Sequence, residues 1–209
     1  MILYSCKTAP NPRRARMFLA EKGAEIEIRE VEIAKGEQLS DAFLEVNPFG
    51  TVPALVTDGG TLITENVAIA HYLEEMFPDK PLMGQTPEER AEVLMWNAIA
   101  ELHGLLPVGE AFRNSHPAMK DRAIPGPDNY AQIPELAERG HARALRFLDL
   151  LDGRLADREF ICGDRFTLAD ITAFVGLSFA RVIKMSVPSD KKAVADWFAR
   201  VGERDSARA

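Results

Sequence analysis

Cysteine is scarce in this sequence, which has only Cys6 and Cys162 among its 209 residues. Two cysteines provide neither a disulfide framework nor a metal-binding cluster. The four histidines do not occur at the i, i+4 spacing that places two zinc ligands on one helix face. We therefore expect a protein without a metal ion that works in the reducing environment of the cytoplasm.

Long apolar runs and an excess of positive charge are also missing. No stretch approaches the ~20 apolar residues that a membrane-spanning helix needs, so we expect no membrane partner. The formal net charge of −7 argues against non-specific binding to nucleic acid, which requires a basic surface. The chain begins with a strand-like pattern at residues 1–5 instead of a basic segment and a cleavage site, so a signal peptide is not expected.

Residues 1–77 alternate strand and helix patterns in the order βαβ–αββα. The first helix is predicted at 13–22, with Pro12 at its first position and Gly23 ending it, since proline suits a helix start and glycine a helix stop. A short turn at 58–60 separates two apolar runs, which predicts a β-hairpin. The other predicted elements of this region are strands at 2–5 and 25–31 and helices at 38–46 and 65–76.

A proline-rich linker at 78–86 separates this region from residues 87–209, in which every predicted element is helical. Thr167 and Asp170 match a capping box, a pattern in which two residues three apart satisfy backbone N–H groups at a helix start. We interpret this pair as a folding device and not as catalytic residues. The fold class is therefore an α/β domain followed by an all-α domain. The predicted helices of the second domain span about 87–106, 133–152, 168–182 and 191–201.

The most informative motif is the segment 47–55, Asn-Pro-Phe-Gly-Thr-Val-Pro-Ala-Leu. A proline restricts the backbone and removes a hydrogen-bond donor, so Pro53 at the start of a strand is unusual. A cis peptide bond between Val52 and Pro53 would turn the backbone groups of Val52 toward a ligand. Glu65 and Asn66 then stand at a helix N-terminus, where free N–H groups attract carboxylates. Together these features predict a site for a small peptide-like ligand.

These motifs resemble those of the cytosolic glutathione transferases, and the resemblance covers essentially the whole chain. Besides 47–55, the matching features are the pair Glu65 and Asn66, the proline-rich linker, and Phe-Thr-Leu-Ala-Asp-Ile at 166–171. The resemblance implies a thioredoxin-like domain that binds glutathione as co-substrate. It also implies a helical domain that holds a small hydrophobic electrophile, and usually a homodimer.

The resemblance assigns roles to individual residues. Val52, ahead of Pro53, would pair its backbone N–H and C=O with the cysteinyl part of glutathione. Glu65 and Asn66 would receive the γ-glutamyl end of the molecule. Gln38 lies where the family often has a side chain that reaches the glycyl carboxylate, with an ordinary solvated helix residue as an equal alternative.

The sequence departs from the family pattern where the thiolate should be stabilised. The family uses a Tyr, Ser or Cys near the loop after the first strand, but here Ala9 and Pro10 occupy that position, and Ala9 has no side-chain donor. Asn11 is our first candidate, with N–H groups of the helix start, because an amide donates to a thiolate without transferring its proton. Ser5 is the second candidate. The donors Tyr4, Cys6 and Thr8 also stay open, although no C-x-x-C motif supports a redox cysteine.

The helical domain provides Leu105 and Phe112 as residues that could line an apolar co-substrate pocket, with helix packing as the alternative. We predict a glutathione transferase that adds the thiolate to small hydrophobic electrophiles. Two alternatives stay open: a glutathione-dependent disulfide or peroxide reductase, and a non-catalytic binding protein with the same fold. The motifs at 52–53 and 65–66 argue against the last of these, because a structural relic has no need of them.

Overall fold

A four-stranded sheet with helices packed against it forms the N-terminal domain of the computed structural model, which describes residues 1–209. The strand order is β2-β1-β3-β4; β1 is parallel to β2, and β3 is antiparallel to both of its neighbours. This arrangement confirms the predicted thioredoxin-like topology. Its strands are β1 (Ile2–Ser5), β2 (Glu27–Glu30), β3 (Ala54–Val56) and β4 (Leu62–Thr64), and its helices are α1 (Pro10–Lys22), α2 (Asp41–Val46) and α3 (Asn66–Met76).

One edge of this sheet is where the backbone ladder stops. The last paired row across the three strands is Tyr4, Ala54 and Thr64. Pro53, the residue before β3, has no N–H with which to continue the hydrogen-bond ladder. The helices α1 and α3 follow β1 and β4, so both begin at this edge. Two helix N-termini and an unpaired backbone segment therefore meet there.

The regular elements of the rest of the chain are all helical, as predicted. The first long helix differs from the prediction: it changes to a π-helical segment at Ala100–Leu105 and then continues to Ser115. Such segments widen the helix locally and occur often at functional sites. The helices are α4 (Pro87–Ile99), α5 (Leu106–Ser115), α6 (Pro134–Leu155), α7 (Leu168–Phe179) and α8 (Lys192–Gly202). None combines the length and the hydropathy that a membrane span requires.

The predicted helix at 38–46 is shorter in the structure. Ser40 caps α2, because its Oγ accepts a hydrogen bond from the N–H of Phe43 at 3.3 Å. The chain before Ser40 forms two short 3₁₀ turns around Gly36, whose φ of 77° suits glycine. A further 3₁₀ turn, Asp205–Arg208, was not predicted.

The main hydrophobic core extends through both domains, from Leu3 in β1 to Trp197 in α8. Its centre is α7, which is buried from Leu168 to Ser178, as its apolar sequence predicts. Asp170 in α7 is fully buried: its Oδ1 accepts from the N–H of Ile161 and from the indole of Trp197, and its Oδ2 accepts from the N–H and hydroxyl of Thr167. These contacts support the interpretation of Asp170 as a folding device.

Candidate functional site

The peptide bond between Val52 and Pro53 is cis, as predicted. The side chain of Val52 packs into a small cluster with Cys6, Val31 and Phe43, which anchors the segment. Its backbone N–H and C=O make no backbone hydrogen bond. Because backbone polar groups in folded proteins are nearly always paired, these two groups are available to a ligand.

Asn47 and Gly50 fix the turn before Val52, a role that was not predicted from the sequence. The buried Asn47 donates from Nδ2 to the Thr51 carbonyl at 2.8 Å and accepts from the Phe49 N–H at 3.2 Å. Gly50 has a φ of 59°, and a Cβ there would lie 3.0 Å from Leu39 and 3.2 Å from the Gln38 carbonyl. The sequence could have indicated this role of Asn47, since Asn side chains at turns commonly bond the backbone two residues ahead.

The start of α3 presents free polar groups at the same edge. Its first intrahelical bond runs from the Ile69 N–H to the Glu65 carbonyl, which leaves the N–H groups of 66–68 without helical partners. Asn66 is buried, and its Oδ1 has no hydrogen-bond partner. Glu65 is exposed and has a φ of 63° and a ψ of 130°, a backbone strain of about 1–3 kcal/mol that proteins retain mainly at functional sites.

Gln38 lies beside the turn that carries Val52, since its carbonyl oxygen is close to Gly50. The side chain is half-buried, and its Oε1 has no partner. The structure therefore places Gln38, Val52, Pro53, Glu65 and Asn66 along one edge of the sheet.

The start of α1 differs from what was expected. The helix begins at Pro10, with Ala9 as its N-cap residue. Pro10 and Pro12 have no N–H, and the Ala9 N–H already donates to the Cys6 carbonyl at 3.3 Å. The expectation that several helix N–H groups would serve as donors was therefore wrong. The N–H of Asn11 is the one left free in the first three positions of α1.

Asn11 itself is exposed at this helix start. Its Oδ1 accepts a hydrogen bond from Nη1 of Arg14 at 3.3 Å, which leaves the Nδ2 amide group free to donate. Asn11 thus presents two donors, one from the backbone and one from the side chain.

Of the other donor candidates in this region, Thr8 is exposed, whereas Tyr4, Ser5 and Cys6 are less accessible or already bonded. Ser5 is fully buried, and its Oγ has no partner. Cys6 is buried as well, with its sulfur 3.4 Å from the hydroxyl of the exposed Thr8. The Tyr4 hydroxyl accepts from Arg29 at 3.2 Å, and its ring packs on Phe43 in α2.

The second cysteine, Cys162, lies in the helical domain, where it is half-buried. Burial, with a smaller contribution from the Asp170 charge, raises the pKa of the Cys162 thiol to about 12. It therefore stays a thiol at neutral pH and is a poor nucleophile.

The two pocket candidates of the helical domain lie in different surroundings. Leu105 is 5% exposed and lies against the backbone of Gly176, so its position fits the packing alternative. Phe112 is half-buried and packs edge-on against Phe179, with ring centres 5.7 Å apart. Phe112 is the better placed of the two to contact a small molecule.

Family models and known relatives match this chain in both domains. The model of the glutathione S-transferase N-terminal domain matches residues 8–76, and the model of the C-terminal domain matches residues 134–200. Glutathione S-transferase 2 of Saccharomyces cerevisiae is 36% identical over 211 residues, covering 100% of this chain and 88% of the relative. The chain belongs to the glutathione S-transferase family.

Solved transferase structures agree with this assignment. Gtt2 from Saccharomyces cerevisiae superposes with a TM-score of 0.90 at 35% identity, covering 100% of this chain and 99% of that one. A glutathione S-transferase domain-containing protein from Marinobacter aquaeolei VT8 gives a TM-score of 0.89 at 37% identity, with 99% of both chains covered. The chain is therefore a transferase of a family that uses glutathione as co-substrate, as its sequence predicted.

Proposed function

We propose that this glutathione transferase conjugates the glutathione thiolate to small hydrophobic electrophiles, with Asn11 as the residue that stabilises the thiolate. The proposal depends on one observation above all. A residue with two free donors, Asn11, stands at the same sheet edge as the unpaired backbone of Val52. Thiolate stabilisation and peptide binding are thus available side by side.

The edge residues have the chemistry that glutathione needs along its length. The Val52 N–H and C=O match the backbone of its cysteinyl part. The free N–H groups at the start of α3 and the Asn66 side chain suit the γ-glutamyl carboxylate, while Glu65 suits the ammonium group beside it. The Gln38 amide is placed for the glycyl carboxylate. The unpaired Oδ1 of Asn66 and Oε1 of Gln38 are acceptors, so each can accept from an ammonium or peptide N–H of the ligand, while the carboxylates would be bound by N–H groups, including the side-chain NH₂ of each amide.

Asn11 would act by hydrogen bonding alone. A free thiol has a pKa of about 8.5, so most of it is protonated at neutral pH. Lowering that pKa by ~2 units requires about 2.7 kcal/mol of stabilisation of the anion. One or two charge-assisted hydrogen bonds of ~1.5–3 kcal/mol each are sufficient. Ser5 is the weaker candidate, because a fully buried hydroxyl does not reach a ligand at the surface.

Further parts of the proposal concern partners and location. We place the electrophile near Phe112 on α5, where an aromatic ring is partly accessible. A homodimer is proposed because the family typically forms one. The net charge of −7 speaks against nucleic acid as a partner. A cytoplasmic location is proposed from the two unpaired cysteines.

A glutathione-dependent disulfide or peroxide reductase is the second candidate function. The loop after β1 favours this function, because Ala9 stands at the usual donor position and has no side-chain donor for the thiolate. In such a reaction the glutathione sulfur would itself attack the substrate, so the burial of Cys6 is no obstacle.

Two measurements test these proposals. Calorimetry should show glutathione binding to the native protein and clear weakening in Glu65→Ala. Glu75→Ala, an exposed change on the same helix without a hydrogen bond to lose, should bind as the native protein does. Turnover of a halonitroarene should exceed turnover of a glutathione-coupled disulfide; the reverse order would favour the reductase. If the native protein did not bind glutathione, only the hypothesis of a non-catalytic binding protein would be left.

A further inference from the structure

Arg14 lies one helical turn after Asn11 on α1 and is buried, with 1% of its surface exposed. Its guanidinium bonds groups from both domains. Nη1 donates to Asn11 Oδ1 at 3.3 Å, and Nε donates to the Thr172 hydroxyl in α7 at 3.1 Å. Nη1 and Nη2 each donate to one carboxylate oxygen of Glu101, both at 3.1 Å.

We propose that Arg14 and Glu101 are positioning residues, which turn the Asn11 amide so that its NH₂ group is presented to the glutathione sulfur. This inference rests on the function proposed above. Its basis is the chemistry of the amide, which has an acceptor oxygen at one end and a donor nitrogen at the other. A guanidinium has hydrogen-bond donors and no acceptor, so it can bond only to the oxygen end of the amide.

The alternative orientation of the amide would be harmful. If the amide turned over, its oxygen would face the thiolate and its NH₂ group would face the cationic Arg14. Both contacts would be repulsive, because the amide oxygen and the thiolate are both acceptors, and the NH₂ group and the guanidinium are both donors. The bond from Arg14 to Oδ1 therefore selects the one orientation in which Asn11 stabilises an anion.

Arg14 is itself held in place from the helical domain. Glu101 binds it through two parallel hydrogen bonds, the geometry that fixes a guanidinium most firmly. The Thr172 hydroxyl donates to Asn97 Oδ1 at 2.6 Å, so its oxygen is free to accept from Arg14. Glu101 belongs to the π-helical segment Ala100–Leu105, which gives that irregular turn a function at the site.

The test measures the pKa of the bound glutathione thiol from the ultraviolet absorbance of its thiolate, in the full-length protein. Glu101→Gln should raise this pKa by about half to one unit, because Arg14 loses its bidentate partner and Asn11 its fixed orientation. The Kd for glutathione should change less than about threefold, since the peptide-binding groups are untouched.

Two comparisons separate positioning from general destabilisation. The lost charge of Glu101 would by itself lower the thiol pKa, and an Asn11→Ala background measures this direct effect. There Glu101→Gln should cause no rise of the pKa, because Arg14 would have no amide left to orient. The control is Glu21→Gln, which breaks another ion pair between α1 and the C-terminal residues, the pair with Arg204, away from Asn11. It should lower thermal stability and leave the thiol pKa unchanged.

A measurement without glutathione completes the test. The side-chain amide signals of Asn11, identified by their loss in Asn11→Ala, should shift in the NMR spectrum of Glu101→Gln. Should Glu101→Gln fail to fold, Glu101→Asp, which withdraws the carboxylate by one methylene, gives the same comparison. Glutathione binding with an unchanged thiol pKa in these variants would overturn the positioning role alone. No binding by the native protein would overturn the proposed function and this role with it.

Discussion

The Asn11 side chain is the group whose removal should change catalysis most selectively. In Asn11→Ala the side-chain donor is lost, while the backbone N–H at the same position stays. One charge-assisted hydrogen bond contributes about 1.5–3 kcal/mol, and about 1.4 kcal/mol corresponds to one pKa unit, so the bound thiol pKa should rise by about 1–2 units. Because the N-terminal prolines leave a single free N–H at this helix start, little else there compensates.

The consequence for activity depends on pH. If the native protein lowers the pKa of the bound glutathione thiol by ~2 units, that pKa would be about 6.5, and in the variant it would be about 7.5–8.5. Near pH 6 the thiolate fraction, and with it kcat/KM for a halonitroarene, should fall about 10–100-fold. Near pH 9.5 both proteins hold an ionised thiol, so their rates should approach each other.

Asn11→Asp sharpens the measurement because it keeps the size of the side chain and its contact with Arg14. It replaces the donor with a negative charge, which opposes a neighbouring thiolate, so its thiol pKa should lie above that of Asn11→Ala. A pH–rate profile for Asn11→Ala with the native midpoint would refute the assignment of Asn11. So would an Asn11→Asp protein with an unchanged thiolate titration.

Three further predictions concern the framework of the site. Asp170→Ala leaves four buried donors unpaired, each at a cost of about 1–3 kcal/mol unless it finds another partner, so denaturant unfolding should show a loss of at least about 2 kcal/mol. A loss below about 1 kcal/mol would contradict its role. In α6, Gly140→Ala should destabilise strongly, since its Cβ would meet the Pro107 carbonyl at 2.6 Å, whereas Gly153→Ala, with open space, should add about 0.5–1 kcal/mol; thermal melts giving equal effects would be the adverse result. Burial raises the pKa of Glu21, but hydrogen bonds from Arg204 and Ser206 outweigh it and hold the pKa below its usual 4.5. The stability that Glu21 contributes is therefore present above pH 4.5 and lost as pH falls through the lowered pKa, so the melting temperatures of native and Glu21→Gln protein should converge in acid and not at neutral pH.

The features that were predictable from the sequence are those that depend on a few neighbouring residues. The cis bond before Pro53 and the helix stop at Gly23 follow from restrictions on the local backbone. Helix α3 begins at Asn66, one residue after its predicted start. The hairpin between β3 and β4 follows from its turn residues in the same way.

The features that were missed depend on distant partners. Arg14 was not singled out from the sequence, but it is buried against Glu101, which lies 87 positions later. Ser5 was the second candidate donor, but it is fully buried, and strand alternation alone does not tell which face of β1 is covered. The number of free N–H groups at α1 also depended on where the helix begins, and helix ends are the least certain part of such a prediction.

Replacement of a hydroxyl by an amide changes what the rest of the protein must provide. A serine or tyrosine hydroxyl has one rotatable O–H and turns its donor toward whatever acceptor is near. An asparagine amide has a donor end and an acceptor end, so on its own it is as able to oppose an anion as to stabilise it. Under the proposed role of Asn11, the chain therefore needs a neighbouring donor that binds the oxygen end, and that donor must itself be held in place. Arg14 and Glu101 meet both requirements, and because they come from different domains, a loosened domain interface should raise the thiol pKa before it unfolds either domain.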